Sequence, residues 1–582
     1  MNKFNTDSLN KVLQHGKPYK IKFLWVILFA ILLSVFAALR PYLLKQTIDL
    51  YITLKDLDGL FYYILIMAFA LFCEVAFQFL FTYFANWLGQ DIVKDIREKL
   101  FNHIINFKIK YFNTEPIGKI ITRTVSDIES IASIFSQGLF MILSDILKML
   151  VVLFFMFSMN WELSIIPILI MPILVYATRI FQIKMKLAFQ EVRAQVGNLN
   201  TFVQERLSGM KIVQLFTQEK NELQKFEQIN MAHNKAWLKN ILYNSIFFPV
   251  SEILSSITLA AVVWYGGHQI IEGNTETTFG DLFSYTLFIQ LLFTPLRQIA
   301  DKFNVLQMGI ISAERVFEVL DNTEHIQPTG TKSLGRLQGD IELKNVFFSY
   351  VPGEPILKGI DLKVKAGETI AIVGTTGAGK STIINLLNRF YDIDSGEILL
   401  DGQNLYDFKI EDLRKNIAVV LQDVFLFADT IYNNITLYNS EITRENVILA
   451  AQKIGAHEFI MQLPGGYDFN VKERGGMLSS GQRQLIAFIR AYVAQPNILI
   501  LDEATSSIDS YTEELIQKAI ETLTKHSTSI VIAHRLATIQ HADRIIVMDK
   551  GIIIEQGKHS DLIKIKDGNY KKLYESQFKN NF

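Results

Sequence analysis

The sequence predicts a multidomain chain, with an all-α domain of six membrane-crossing helices followed by an α/β domain on a mostly parallel sheet. Three observations predict it. Six apolar stretches fill the first 300 residues, the pattern changes abruptly after Asp321, and a strand, a glycine-rich loop and a helix follow one another between Thr369 and Leu387.

Composition sets the frame. Of 582 residues, 50% are hydrophobic and only 20% charged, and the mean hydropathy is +0.23, which argues against a purely water-soluble protein. Aromatic residues at 12% exclude intrinsic disorder. With 57 Lys and Arg against 58 Asp and Glu the net charge is −1, so no global basic field exists to hold nucleic acid. Cys73 is the only cysteine, which forbids an internal disulfide. Its expected place is in an apolar core.

The apolar stretches Phe23–Leu44, Leu60–Trp87, Phe140–Met159, Leu163–Phe181, Ile241–Trp264 and Leu282–Leu296 approach or exceed the roughly 20 residues a helix needs to cross a bilayer. The first has no small-residue cleavage site near its end and reads as a retained span. Lys11, Lys17, Lys20 and Lys22 precede it and place the N-terminus on the cytoplasmic side. An even number of spans returns the chain to that side.

Connections after spans two and four are long and fall on the cytoplasmic side. Leu88, Ile92, Ile96, Leu100 and Ile104 recur every four residues, with Val93, Phe101 and Ile105 widening the same face, so span two is expected to continue as a helix to Tyr111. At about 1.5 Å per residue this extension projects roughly 35 Å. Asn113–Gly118 reads as a turn, and the second long connection turns near Ser208–Phe216. Two long cytoplasmic helical hairpins result.

Asn322 to Thr331 is polar and carries both Pro328 and Gly330, which marks a linker. Beyond it, β-rich runs at Thr369–Val373, Ile417–Leu421, Ile498–Leu501 and Ser529–Ala533 alternate with helical stretches.

The first of these strands enters Gly374-Thr375-Thr376-Gly377-Ala378-Gly379-Lys380-Ser381-Thr382 and then a helical pattern, which is a complete P-loop in its required context. Glycines let backbone N–H groups curl around phosphates, Lys380 offers a point charge to the β and γ oxygens, and Ser381 suits a Mg²⁺ ligand. Ile498–Leu501 delivers Asp502 and Glu503 at a strand tip, where ligands of open α/β sheets bind. Asp502 suits the Mg²⁺ shell, and Glu503 is placed to orient or deprotonate the attacking water. The second domain is thus expected to be an α/β P-loop ATPase domain using ATP and Mg²⁺.

Between these motifs stands Leu478-Ser479-Ser480-Gly481-Gln482-Arg483-Gln484, and this order resembles an ABC transporter, specifically a half-transporter of the exporter type. Phe112–Gly118, Ala313–Val316 and Leu501–Ser506 are similar to phrases of that family. The resemblance implies a transmembrane domain over 1–320 with coupling tips near 112–118 and 208–216, a linker over 321–338 and a nucleotide-binding domain over 339–582. It implies that Tyr350 stacks on adenine, that Gln422 links the nucleotide and Mg²⁺ to the membrane helices, that His534 is a switch histidine near the γ-phosphate, and that Asp509 crosses to the partner domain. Two nucleotide domains are implied to meet head to tail, so that Ser479, Ser480, Gly481 and Gln482 of one chain cap the ATP held by Lys380 of the other. The partner is a second copy or a different half-transporter.

Two departures stand out. Ser480 replaces the glycine usual in the signature, and Asn470 with Lys472 depart from the segment that commonly precedes it. Hydrolysis is expected to survive the first; the second bears on coupling to the hairpins.

The function expected is an ATP-driven exporter of small amphipathic substrates such as lipids or drugs, lodged among membrane lipid in a bacterial plasma membrane. The alternatives are a peptide exporter and a membrane ATPase that regulates a channel or partner without pumping. Arg40, Glu74, Asp145, Lys148, Glu252 and Arg297 lie in or beside the spans, where charge is costly, and are candidates for cargo contact. Asp145 and Lys148, three residues apart, also suit a pair on one helix.

Overall fold

In a computed structural model, residues 6–272, 277–326, 330–333, 335, 337–502, 510–525, 527–532 and 536–578 are described. The chain divides into two units, one of residues 1–106 and 115–323 and the other of 107–114 and 324–582.

The first unit is helical. Among the described residues, six helices long and apolar enough to cross a membrane run over Lys17–Ile52, Leu57–Ile105, Ile117–Met159, Trp161–Ser208, Glu219–Ile271 and Phe279–Leu320. They are spans one to six. In span two only 11% of the most apolar window is buried, and Phe69, Phe72 and Phe79 stand about two-thirds exposed. Such a surface is stable against hydrocarbon and not against water. The helix of span two stops at Ile105, six residues short of the expected Tyr111. Asn106 caps it and a separate short helix, Ile109–Thr114, comes next.

Polar side chains fix the spans where backbone groups are left over. Asn160 ends span three, and its side-chain oxygen accepts from the Leu163 N–H at 3.1 Å to start span four. Tyr285 of span six is fully buried, and its hydroxyl lies 2.8 Å from the Met156 carbonyl, 2.6 Å from the Asn160 carbonyl and 2.7 Å from the Ser164 hydroxyl. The phenol thereby ties span six to the break between spans three and four, where the Met156 carbonyl also accepts from the Asn160 N–H at 3.0 Å. Thr278 and Asp281 form a capping box on span six, and Lys45 of span one reaches the buried Asp281 at 2.7 Å.

Among the described residues three π-helical turns occur, Thr47–Ile52 closing span one and Arg123–Asp127 and Ile134–Leu139 within span three.

The second unit carries ten strands among the described residues. A six-stranded sheet has the order β10 (Ile552–Gly557), β9 (Arg544–Asp549), β3 (Thr369–Gly374), β8 (Thr528–Ile532), β7 (Ile498–Asp502) and β6 (Ile417–Val420). All its pairings are parallel except β10 with β9. A four-stranded antiparallel sheet has the order β2 (Pro355–Val364), β1 (Ile341–Ser349), β4 (Ser395–Leu400) and β5 (Gln403–Asn404).

The continuous apolar runs of the parallel strands result from burial on both faces. Ile370, Ile372, Ile498 and Ile500 pack into one core, whereas Ala371, Val373, Leu499 and Leu501 pack into the other. The strands thereby stop together at one edge. Val420 pairs with Leu501, and Asp502 with Ile532, so the chain leaves β6, β7 and β8 on the same side as the loop after β3.

Candidate functional site

Gly374 ends β3 at φ +155°, and a Cβ there would lie 2.1 Å from the Met548 carbonyl oxygen of the neighbouring β9. Only glycine lets the two backbones approach so closely. At Gly377, by contrast, a Cβ would meet open space, and its φ of +83° alone demands glycine. Thr375, Thr376 and Gly377 are exposed at the loop tip, while Ala378, Gly379, Lys380 and Thr382 are buried. The helix Lys380–Leu387 begins directly from this loop, which points its unpaired N–H groups at the tip.

Lys380 is 8% exposed, and its ammonium donates to the carbonyls of Gly374 at 2.8 Å and Thr375 at 2.9 Å. Two protons fix the head group over the loop and the third is left for an anion. Burial pushes this ammonium down from its ordinary value, and the Asp502 carboxylate opposes that. Ser381 Oγ lies 3.5 Å from Asp502 Oδ2. A hydroxyl and a carboxylate converging beside a fixed ammonium suit a hard divalent cation and a phosphate, so the donor set fits Mg-ATP.

Tyr350 comes directly after β1 and is half-buried. Its hydroxyl accepts from Asn385 Nδ2 at 2.9 Å and reaches Thr382 Oγ1 at 3.3 Å, which ties it to the P-loop helix. Its ring packs at 87° against both Phe348 and Tyr391, with centroids 4.8 and 4.9 Å away. Gln422 is exposed two residues beyond β6, at the sheet edge that also carries Asp502.

Ser479 caps the helix Ser480–Val493: its hydroxyl accepts from the Gln482 N–H at 3.2 Å, and the Gln482 side chain accepts from the Ser479 N–H at 3.0 Å. Ser480 is the first residue of that helix, and Gly481 is buried behind it. The serine at 480 is compatible with this backbone because it is helical, not left-handed. Among the described residues, no hydrogen bond links Ser479–Gln482 to the P-loop. Glu503, Asp509 and His534 lie outside the described residues.

The segment before the signature is backbone-specific. Asn470 Oδ1 accepts from the Lys472 N–H at 2.9 Å, and Lys472 sits at φ 60°, ψ −172°, a region that is essentially glycine's.

In the membrane unit, the charged candidates pair across spans. Arg40 and Glu74 are 3.6 Å apart, Arg297 and Glu252 2.8 Å. Asp145 does not pair with Lys148 as their spacing suggested; it accepts from Lys302 of span six. Lys302 was not anticipated, because it lies beyond the apolar stretch Leu282–Leu296 that marked span six. Asn385 was also missed, although a lone amide in Ile383-Ile384-Asn385-Leu386-Leu387 is a signal of its own.

Comparison with known proteins identifies the family. Residues 23–296 match the model of the ABC transporter transmembrane region, and 357–506 that of the ABC transporter. The chain is 36% identical over 580 residues to an ATP-dependent lipid A-core flippase of Desulfotalea psychrophila (strain LSv54 / DSM 12343), covering 98% of this chain and 100% of that one. It is also 36% identical over 578 residues to a protein of Staphylococcus aureus (strain NCTC 8325 / PS 47) named for multidrug export, covering 98% and 100%. A solved structure of a bacterial Atm1-family ABC exporter with ATP bound superposes with a TM-score of 0.77 at 28% identity, covering 96% of this chain and 98% of that one. A nucleotide-binding P-loop unit following six membrane-crossing helices, matched end to end by such relatives, places this chain in the ABC transporter family as an ATP-hydrolysing, multi-pass membrane exporter.

Proposed function

We propose that two such chains, or this chain and a different half-transporter, export small amphipathic molecules such as lipids or drugs across a bacterial plasma membrane, with the N-terminus and the nucleotide unit cytoplasmic. The observation that carries this reading is the convergence of Lys380, Ser381 and Asp502 at one edge of the parallel sheet. Mg²⁺, when held by Ser381, Asp502 and Gln422, neutralises charge on the β and γ phosphates. Lys380 holds the phosphate oxygens, Tyr350 supports the base, and Glu503 orients the attacking water with His534 beside the γ-phosphate. Ser479 and Ser480 are exposed at the N-terminus of their helix, which suits capping of nucleotide on the partner chain by Ser479, Ser480, Gly481 and Gln482, with Asp509 crossing the same interface.

Nucleotide drives a cycle only through unequal affinity for two states. Closure of the paired nucleotide units is the favoured state with ATP, and the hairpin tips at 112–118 and 208–216 pass it to the spans. A groove of about 820 Å³ between spans five and six supports amphipathic cargo: Phe248, Pro249, Ile253 and Ile257 give it apolar walls, and the Glu252–Arg297 pair supplies charge.

The decisive experiment uses the full chain in proteoliposomes. Glu503→Gln is expected to keep Mg-ATP binding and to lower turnover by roughly a hundredfold or more. Transport of a fluorescent lipid or a hydrophobic dye into vesicles is expected to require ATP and to stop in that variant. Hydrolysis without uphill movement of any cargo tested sinks the export of such molecules and favours a regulatory ATPase. Mass measurement in detergent separates a self-pair from a single chain.

A further inference from the structure

The second unit includes eight residues, 107–114, that come after span two in the chain. This segment is anchored to the chain that precedes β1 and to the loop that precedes β4. The Lys108 N–H donates to the Glu324 carbonyl at 3.0 Å, the Phe107 ring stacks on His325 at 5.1 Å, and the Lys108 ammonium pairs with Asp392 at 2.7 Å. Next to Asp392 stands Tyr391, whose hydroxyl accepts from Asn113 Nδ2 at 2.8 Å.

The other side of Tyr391 faces the nucleotide residues. Its ring meets Tyr350 edge to face, with centroids 4.9 Å apart, and Phe348 touches both rings. Tyr350 in turn is held to the P-loop helix by Asn385 and Thr382. The loop bearing Tyr391 has little freedom to absorb a shift, because the Asp394 N–H donates to the Phe347 carbonyl at 2.9 Å and the Ile393 N–H to the Tyr406 hydroxyl at 3.0 Å. A displacement of the Tyr350 ring therefore passes to Tyr391 as a rigid contact, and from its hydroxyl to Asn113.

We propose that Tyr391 is a positioning residue that carries occupancy of Tyr350 by a purine base to the hairpin segment at Asn113. The proposal rests on the reading that Tyr350 supports the base. It makes the hairpin sensitive to the base and not only to the phosphates, so a bare triphosphate fills the P-loop without ordering the segment. Tyr391 touches neither the reacting atoms nor the phosphates in this scheme, so its loss alters coupling and leaves binding intact.

The test is hydrogen–deuterium exchange of residues 107–114 in the full assembled chain in lipid nanodiscs, with Mg-ATP or Mg-tripolyphosphate at saturating concentration. For the unsubstituted protein, ATP is expected to slow exchange there by about threefold or more relative to tripolyphosphate, the scale of one neutral hydrogen bond. Tyr391→Phe keeps the ring and deletes the hydroxyl, and is expected to abolish that difference while leaving KM for ATP within about twofold. Asn113→Ala is expected to do the same, and the double variant no more than either alone. Equal protection by ATP and tripolyphosphate in the unsubstituted protein overturns the proposal. Tyr350→Ala separates the two readings. Weakening of ATP affinity by roughly fivefold or more supports the base contact, and an undiminished Tyr391→Phe then overturns the relay alone. Unchanged affinity in Tyr350→Ala overturns the base contact and the relay together.

Discussion

Ser381 Oγ and Asp502 Oδ2 stand 3.5 Å apart although 121 residues separate them, one from the helix after the P-loop and the other from the tip of β7. Two oxygen donors from independent elements define a position for a cation more firmly than one flexible side chain does. Asp502→Asn removes a negative charge at constant shape. It is expected to raise the free Mg²⁺ needed for half-maximal ATPase activity by about tenfold or more, measured by titrating Mg²⁺ at fixed ATP. An unchanged midpoint sinks the metal role.

Lys472 occupies backbone angles that cost a side-chain-bearing residue roughly 1–3 kcal/mol, offset in part by the Asn470 bond to its N–H. Glycine loses about 0.5–1 kcal/mol of chain entropy when ordered. Strain relief is the larger quantity, so Lys472→Gly is expected to stabilise the folded protein by about 1 kcal/mol. A higher thermal unfolding midpoint of the purified chain checks this; a lower one refutes it.

Asp145 and Lys302 join spans three and six with less than a fifth of either side chain exposed. Removing one partner strands the other charge, so Lys302→Met is expected to cost about 3 kcal/mol. The double variant Asp145→Leu, Lys302→Met removes both charges and is expected to recover most of that loss. Thermal stability of the four proteins in one detergent gives the coupling directly. If the double variant is as weak as the single, the pair is not what matters.

The Asp429 carboxyl is held below its usual range by the Tyr438 hydroxyl, the Asn433 amide and the Thr430 N–H. A lowered folded-state value means the carboxylate binds its proton more readily in the unfolded chain. Its contribution is therefore complete above about pH 4, the unfolded value, and fades as pH falls through the folded value. Unfolding of the unsubstituted chain and of Asp429→Asn is expected to differ at neutral pH and to converge in acid. A gap that stays constant from neutral pH into acid contradicts this.

Much of this was readable from the residues because the strongest signals were local. The P-loop string fixed its own strand–loop–helix context, and continuous runs such as Ile498–Leu501 announced strands buried on both faces. Apolar length announced the spans. Less local features were not readable. Whether span two stops at Ile105 or Tyr111 depends on Asn106 bonding back to the last turn, and an apolar four-residue repeat continues past that point regardless. Asp145 chose Lys302 over Lys148 because helices bring together residues 157 apart as easily as residues three apart. Tyr350 is legible as an aromatic before the P-loop, yet its bonds to Asn385 and Thr382 depend on how β1 lies against the helix, which sequence order does not state.

Span three holds two wide turns, Arg123–Asp127 and Ile134–Leu139, in the stretch between the hairpin tip and its most apolar part. Each such turn stores one residue more than regular pitch requires. Moving that surplus along the rod turns each residue it passes by about 100° and shifts it by about 1.5 Å, while the segments on either side keep their relation to one another. Span three thus carries its slack ahead of its apolar stretch, where single side chains can be re-aimed without unwinding the helix.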